Sequence, residues 1–327
     1  MSPHLSFRIA EKINSDLLFR LTKPMIIHPF YHTVSDVYLP YIHPLYNPKK
    51  VKDFENDLEF LLRRFDAASI SDVSFYRKNP AQLKKHAFHL SFDDGLRGVY
   101  ENLTPLLYRK GVPATVFVNK DFVNNKQLFY RHKAAILIDK LNNGKISSTV
   151  KKEIDASKIY AVSYANRHLL DEMAVLFDVD FQSFLKTEKP YLTTDELKEM
   201  QQKGFTVGAH SIDHPNFGEL NPAEQIRQIT ESCAFVKETF GEQKACFSFP
   251  FSDENIPASL FKAIENKVDM SFGITGIQVK NNGRHFGRID MEKNGGNAGG
   301  TINKSFLKYI FQVAVYKLRH SPSLLRV

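Results

Sequence analysis

The stretch "HLSFDDGLRGVYENLTPLLYRKGVPATVFVN", His89–Asn119, decides the fold. It opens with a short apolar run that ends at two adjacent aspartates and a glycine. Asp-Gly after a strand is a common hairpin signal, so Asp93-Asp94 reads first as a polar turn. A hairpin would return as a strand, yet Val99, Leu103, Leu106 and Leu107 recur at helical spacing, and "RKGVPATVFVN" then supplies a stop and a second apolar run. The order is strand, loop, helix, strand. In such a βαβ unit ligands collect outside the carboxyl ends of the strands, which is where this pair would lie. Two readings stay open at this point: a turn, or a holder of a ligand.

Working outward, the alternation is preceded by a lead-in and broken once. Residues 1–50 hold an amphipathic helix and then "PMIIHPFYHTVSD", a short strand running into a loop rich in His, Tyr and Pro. A helix is expected around "FENDLEFLLRRF", residues 54–65. Residues 125–190 change character: "FYRHKAAILIDKL" and "ANRHLLDEMAVLF" read as helices while strand signals are sparse, the pattern of a helical insertion. From "YLTTDELKEMQQKGFTVGAH", residues 191–210, helix-then-strand alternation resumes, with Thr193 or Thr194 as the cap and Gly204 as the stop.

Composition bounds the function classes. With 327 residues, 43% hydrophobic and 24% charged, the chain can bury one large core or about two smaller ones. The 44 Lys+Arg against 36 Asp+Glu give +8, a balance that favours anionic glycans, a membrane surface or nucleic acid. The charges are interspersed and no nucleic-acid motif occurs, so nucleic acid is set aside as a partner. Cys233 and Cys246 form no metal-spaced set and read as unpaired thiols in a reducing compartment. The N-terminus has no uninterrupted apolar segment of the signal-peptide kind, and no run reaches the ~20 apolar residues of a spanning helix, so a cytoplasmic protein is expected. Residues 301–327 carry five Lys/Arg and no acid beside crowded aromatic and aliphatic residues. This basic C-terminal helix is expected to pack on the body, with peripheral membrane contact as the other reading.

A second motif closes the later strand: "VGAHSIDHPNFGEL", residues 207–220. His210 and His214 are four residues apart, and one helical turn would put both imidazoles on one side. The pair follows a predicted strand, on the same rim as Asp93-Asp94. Two neutral imidazoles, one carboxylate and a water make a set suited to a divalent ion, Zn²⁺ first among them, with a position open for substrate.

These two segments carry a resemblance. "SFDDGLRGVYENLTPLLYRKGVPATVFV" and "TVGAHSIDHPNF" resemble the first two motifs of the polysaccharide deacetylases, the NodB-homology or carbohydrate esterase family 4 enzymes. The resemblance covers roughly residues 25–290 apart from the insertion. It implies an α/β fold, an incomplete or distorted (β/α) barrel of the NodB type, within a single domain over residues 1–327. It also implies a divalent metal and hydrolysis of an N-acetyl, less often O-acetyl, group on a sugar. Through it Asp93 is the general base, and Asp94, His210 and His214 bind the metal. One carboxylate can then hold the ion while its neighbour takes the proton from water.

Later motifs depart from the family pattern. The third normally reads Arg-x-Pro-Tyr, with the Arg orienting the catalytic Asp; here "CFSFPFSDEN" matches only at Pro250 and Phe251, which are assigned with His32 to substrate binding. Arg288 in "HFGRIDME" is the candidate for the missing charge. The fourth normally contributes a Trp, of which the chain has none, and Phe272 is the nearest candidate. The fifth normally ends in a His that protonates the leaving amine. No histidine occupies that place just after Ile289, so His285 is the candidate acid, with His28 and His32 as other choices. The expected function is a metal-dependent carbohydrate deacetylase acting on an acetylated glycan, its helical insertion a lid or wall. The runner-up is a catalytically impaired glycan-binding or scaffolding protein.

Overall fold

The computed structural model describes residues 13–144, 146, 153–279, 283–293 and 296–320. Its strands are β1 (Ile26–Ile27), β2 (Pro29–Tyr31), β3 (Asp66–Ala67), β4 (Ala87–Phe88), β5 (Leu90–Phe92), β6 (Ala114–Val118), β7 (Thr206–Ala209), β8 (Cys246–Ser248), β9 (Met270–Gly273), β10 (His285–Gly287) and β11 (Ile289–Asp290). Eight of them form one parallel array in the order β10-β9-β8-β7-β6-β5-β2-β11. Its two end strands are consecutive in the chain and separated by Arg288 alone: β10 pairs with β9, and β11 with β2. The Arg288 N–H donates to the Gly273 carbonyl at 2.9 Å on one side, and the Ile289 N–H donates to the His28 carbonyl at 2.8 Å on the other. The sheet therefore curls until its ends meet in a distorted (β/α) barrel. A smaller array, β1-β4-β3, extends the same two strands past interruptions at His28 and His89.

The period-two rule of strands explains how a fully buried run can point polar groups at a site. Phe88, Leu90 and Phe92 pack outward into the main core with Leu103 and Leu107 of the crossover. His89, Ser91 and Asp93 alternate inward, where His89 contacts Thr115 at 2.8 Å and stacks on Phe272. The crossover itself is a wide turn, Val99–Leu103, followed by the helix Thr104–Arg109. Helix Thr194–Gln202 starts at a capping box in which Thr193 and Glu196 satisfy each other's backbone N–H groups.

Residues 125–190 hold helices Tyr130–Asn143, Ala156–Tyr160, Leu169–Leu176 and Phe181–Glu188. They build a core of their own around Leu137, Ile159, Leu170 and Phe177, joined by Tyr41, Ile42 and Leu96. Residues 145 and 147–152 of that segment lie outside the described residues. So do residues 1–12 of the N-terminal amphipathic stretch, whose described helix is Ser15–Arg20. The C-terminal helix runs Ala298–His320, and its Phe306 packs on Phe19 at 4.6 Å; residues 321–327 lie outside the described residues. Cys233 and Cys246 are both buried and free.

Candidate active site

Asp93 follows β5 on the inward side of the barrel mouth, and Arg288, at the seam between β10 and β11, turns inward to meet it. Its Nη1 donates to Asp93 Oδ1 at 2.7 Å and its Nη2 to Oδ2 at 2.6 Å. Nη2 also donates to Ser248 Oγ at 2.7 Å, and the guanidinium lies 4.2 Å from the centre of the Phe30 ring. Arg288 is fully buried. Removing two charges from water costs several kcal/mol each, and a bidentate fork with its remaining donors satisfied is the geometry that offsets this cost. Burial alone would raise the Asp93 carboxyl, but Arg288, with His210 and His32, holds it below the usual carboxylate range. Ser248 stands where the resemblance expects an arginine, and it joins the clamp on Asp93 without carrying the charge.

Asp94 and Gly95 both take left-handed backbone, φ 68° and 62°, and a Cβ on Gly95 would lie 3.0 Å from Val118 Cγ1. This turn swings the second carboxylate away from the first and toward β7. Asp94 Oδ1 lies 3.4 Å from His210 Nε2 and 3.2 Å from His214 Nε2. The two histidines do not share a helical turn as their spacing suggests. They sit on an irregular loop after β7 in which Ser211 and His214 have φ 77° and 59°, and the Ser211 hydroxyl accepts the His214 N–H at 3.0 Å. Left-handed conformations on non-glycine residues cost of order 1–3 kcal/mol each and gather at functional sites.

The donor set fits a cation. His210 Nδ1 donates to the Ser248 carbonyl at 2.9 Å, which leaves Nε2 as a lone pair aimed at the carboxylate. Asp94 Oδ1 is buried with no hydrogen-bond partner, so acceptors face one another across the gap. Among the described residues this trio has its ligand atoms within 4.8 Å of one another. A divalent ion resolves the conflict, and one carboxylate with two imidazoles is a zinc-type set.

Around these groups a cavity of about 280 Å³ opens, lined by His32, Tyr46, Phe129, Phe249 and Phe251 besides the polar set. Residues 81–269, over half of the chain, match the family model for polysaccharide deacetylase. The chain belongs to the polysaccharide deacetylase family. The Bacillus subtilis (strain 168) protein YxkH, itself assigned to the polysaccharide deacetylases, is 31% identical over 87 residues, 27% of this chain and 30% of its own length. The chain thus matches less than a third of that relative. The fold is similar to Streptococcus pyogenes deacetylase PplD in complex with acetate, with TM-score 0.59, 15% identity and coverage of 87% of this chain and 99% of that one. IcaB from Ammonifex degensii gives TM-score 0.56 at 14% identity, covering 87% and 99% respectively.

Within this polysaccharide deacetylase barrel the other candidate residues separate. His32 lines the cavity, and its Nδ1 lies 2.5 Å from Glu292 Oε2, which also accepts the His32 N–H at 2.8 Å. Burial would lower the His32 pKa, but the Glu292 carboxylate outweighs it and carries the ring up to about 10. Phe251, with φ 56°, stands edge-on to His214 at 4.7 Å. Pro250 is buried and does not line the cavity.

His285 is not brought to the site, and this corrects its expected role as the acid. It does not line the cavity: its Nδ1 lies against Ser271 Oγ of β9 at 2.9 Å and its Nε2 against Asp253 Oδ2, in the loop after β8, at 2.9 Å, so both ring nitrogens are engaged. His28 and Phe272 are likewise interior packing groups. Sequence reading missed Glu292, two residues past β11, because a lone glutamate in a loop carries no pattern. It also missed Phe129, Arg131, His132 and Tyr160, which line the cavity from the 125–190 segment.

Proposed function

We propose that this polysaccharide deacetylase hydrolyses an N-acetyl group on a carbohydrate, with Asp93 as general base and His32 as general acid. The observation that carries the reading is a carboxylate locked by a buried arginine beside a second carboxylate and two imidazoles that fit a cation. Asp94, His210 and His214 would hold a divalent ion, zinc first among the candidates, which would supply Lewis acidity toward the acyl carbonyl and toward water. Asp93 accepts the proton of the attacking water, and the Arg288 fork keeps both of its oxygens from swinging toward the neighbouring ligands. As the new C–O bond forms and the C–N bond breaks, His32 delivers a proton to the departing amine, and acetate is released. Glu292 keeps the His32 ring protonated and oriented. Phe129, Tyr46 and Phe251 offer apolar faces to a sugar ring, a surface suited to a pyranose more than to a peptide.

The glycan-binding or scaffolding alternative drew on the absent third-motif arginine and the misplaced fifth-motif histidine; Arg288 against Asp93 answers the first, and His32 in the cavity is offered for the second. The direct test is amine release from N-acetylated oligosaccharides by purified protein loaded with zinc. Turnover in the wild type that is lost in Asp93→Asn, with zinc still bound, is the expected result. A zinc-loaded wild type that releases neither amine nor acetate from such substrates would sink the proposal.

A further inference from the structure

The helix Ala298–His320 changes partner half-way along its length. Up to Phe306 it is buried against helices Ser15–Arg20 and Val51–Leu62, but beyond that point its side chains are mostly half-buried or exposed. At 100° per residue, Leu307, Phe311, Ala314 and Leu318 fall within about 60° of one another on a single face. All four are exposed, Phe311 at 70% and Leu318 at 56%. Burying a stripe of this kind in water's absence is favourable, and leaving it open is not. Lys304, Lys308 and Arg319 flank the stripe on one side and Lys317 on the other, and the helix contains no acidic residue. Among the described residues no ion pair engages Lys308, Lys317 or Arg319. The acid facing this half of the helix is Glu254, which shares a groove with Lys308 and Arg319 beside the stripe. No described helix is long and apolar enough to cross a membrane.

An apolar stripe with unpaired cations on both borders matches a surface that is apolar inside and anionic outside. We infer that residues 304–320 dock this protein on an anionic lipid bilayer, the helix lying in the interface with Leu307, Phe311 and Leu318 inserted. The lysines and Arg319 then reach the headgroups by their long stems. A second copy of the chain would have to meet this stripe with a like-charged border of its own, which disfavours a symmetric dimer.

The test is co-sedimentation of the full chain with phosphatidylcholine vesicles, with and without phosphatidylglycerol, and it needs no assumption about the catalytic reading. Binding is expected to anionic vesicles only, and to fade in high salt. Lys308→Gln, Lys317→Gln and Arg319→Gln should each weaken partitioning roughly fivefold. Phe311→Ser with Leu318→Ser should weaken it by about tenfold or more while the melting temperature stays unchanged, because both side chains are exposed. Equal binding to neutral and anionic vesicles, or none to either, overturns the inference. So does self-association in solution that the Phe311→Ser, Leu318→Ser pair abolishes, which would assign the stripe to a second copy.

Discussion

Replacing Arg288 by Met separates the clamp on Asp93 from everything else in the site. The substitution keeps most of the buried volume but leaves the Asp93 carboxylate without its two hydrogen bonds at 2.7 and 2.6 Å. Breaking one side of a buried pair costs about 3–5 kcal/mol, and at about 2–4 °C per kcal/mol the melting temperature should fall by roughly 6–20 °C. The sign of the pH effect follows from the pairing. Asp93 is held below its unfolded pKa, so the stability it contributes is full above the ordinary carboxylate range and is lost as pH falls through the depressed value. The gap in stability between wild type and Arg288→Met should therefore narrow on acidification. In catalysis the base must be ionised, so raising its pKa moves the acid limb of kcat/KM to higher pH. Turnover at neutral pH should drop by roughly tenfold or more, about 1.4 kcal/mol of transition-state stabilisation, with zinc affinity little changed. Arg288→Lys, which keeps the charge and loses the fork, should recover much of the stability but little of the rate. A variant that melts lower yet retains both its kcat and its acid limb would show Arg288 to be a structural residue only.

Three further outcomes are expected. Asp94→Asn and His214→Ala should lose most bound zinc by elemental analysis and lose the rise in melting temperature that zinc confers on the wild type, whereas Asp93→Asn should keep both. Equal zinc in all three would mean the trio is not the ligand set. His32 carries a pKa raised to about 10, and an acid is active until pH climbs through its pKa; Glu292→Gln should bring the alkaline limb of the rate profile to lower pH, and an unmoved limb would exclude His32 as the acid. Phe251→Ala should raise KM about three- to tenfold with kcat nearly constant, since the ring adds an aromatic face to the cavity but touches no reacting group; a fall in kcat alone would contradict that.

What could be read from sequence was what periodicity and adjacency encode. The βαβ unit around Asp93-Asp94 was legible because a short apolar run, a helical spacing and a glycine stop follow one another within thirty-one residues, His89–Asn119. The cluster that fits a cation was legible because two histidines at close spacing cannot be far apart, although the loop that joins them is not the helical turn their spacing suggests. The proposed acid was not legible. His32 and His285 lie in equally plausible places along the chain, and the difference lies in tertiary partners: a glutamate 260 positions away for one, an aspartate and a serine for the other. The cavity wall from the 125–190 segment was hidden for the same reason, since Phe129 and Tyr160 look like any apolar residues of a helical insertion.

Arg288 was legible as a charge but not as a seam, and the two properties depend on each other. Its backbone bridges the ends of the sheet, so the residue at that seam is oriented by β9 on one side and β2 on the other. With β10 and β11 both in place, its side chain enters the barrel mouth from above Phe30 and reaches Asp93. The preceding Gly287 is required by the same closure: a Cβ there would lie 2.0 Å from the Gly276 carbonyl oxygen, which belongs to a backbone that cannot step aside cheaply. An arginine on a free loop could adopt many rotamers, and holding one of them against a buried carboxylate would cost side-chain entropy. Here barrel closure has already ordered the backbone on both sides of the residue that clamps Asp93. The strand that completes the fold is thereby the strand that sets the orientation of Asp93, and a small Ser248 suffices where the resemblance expects an arginine.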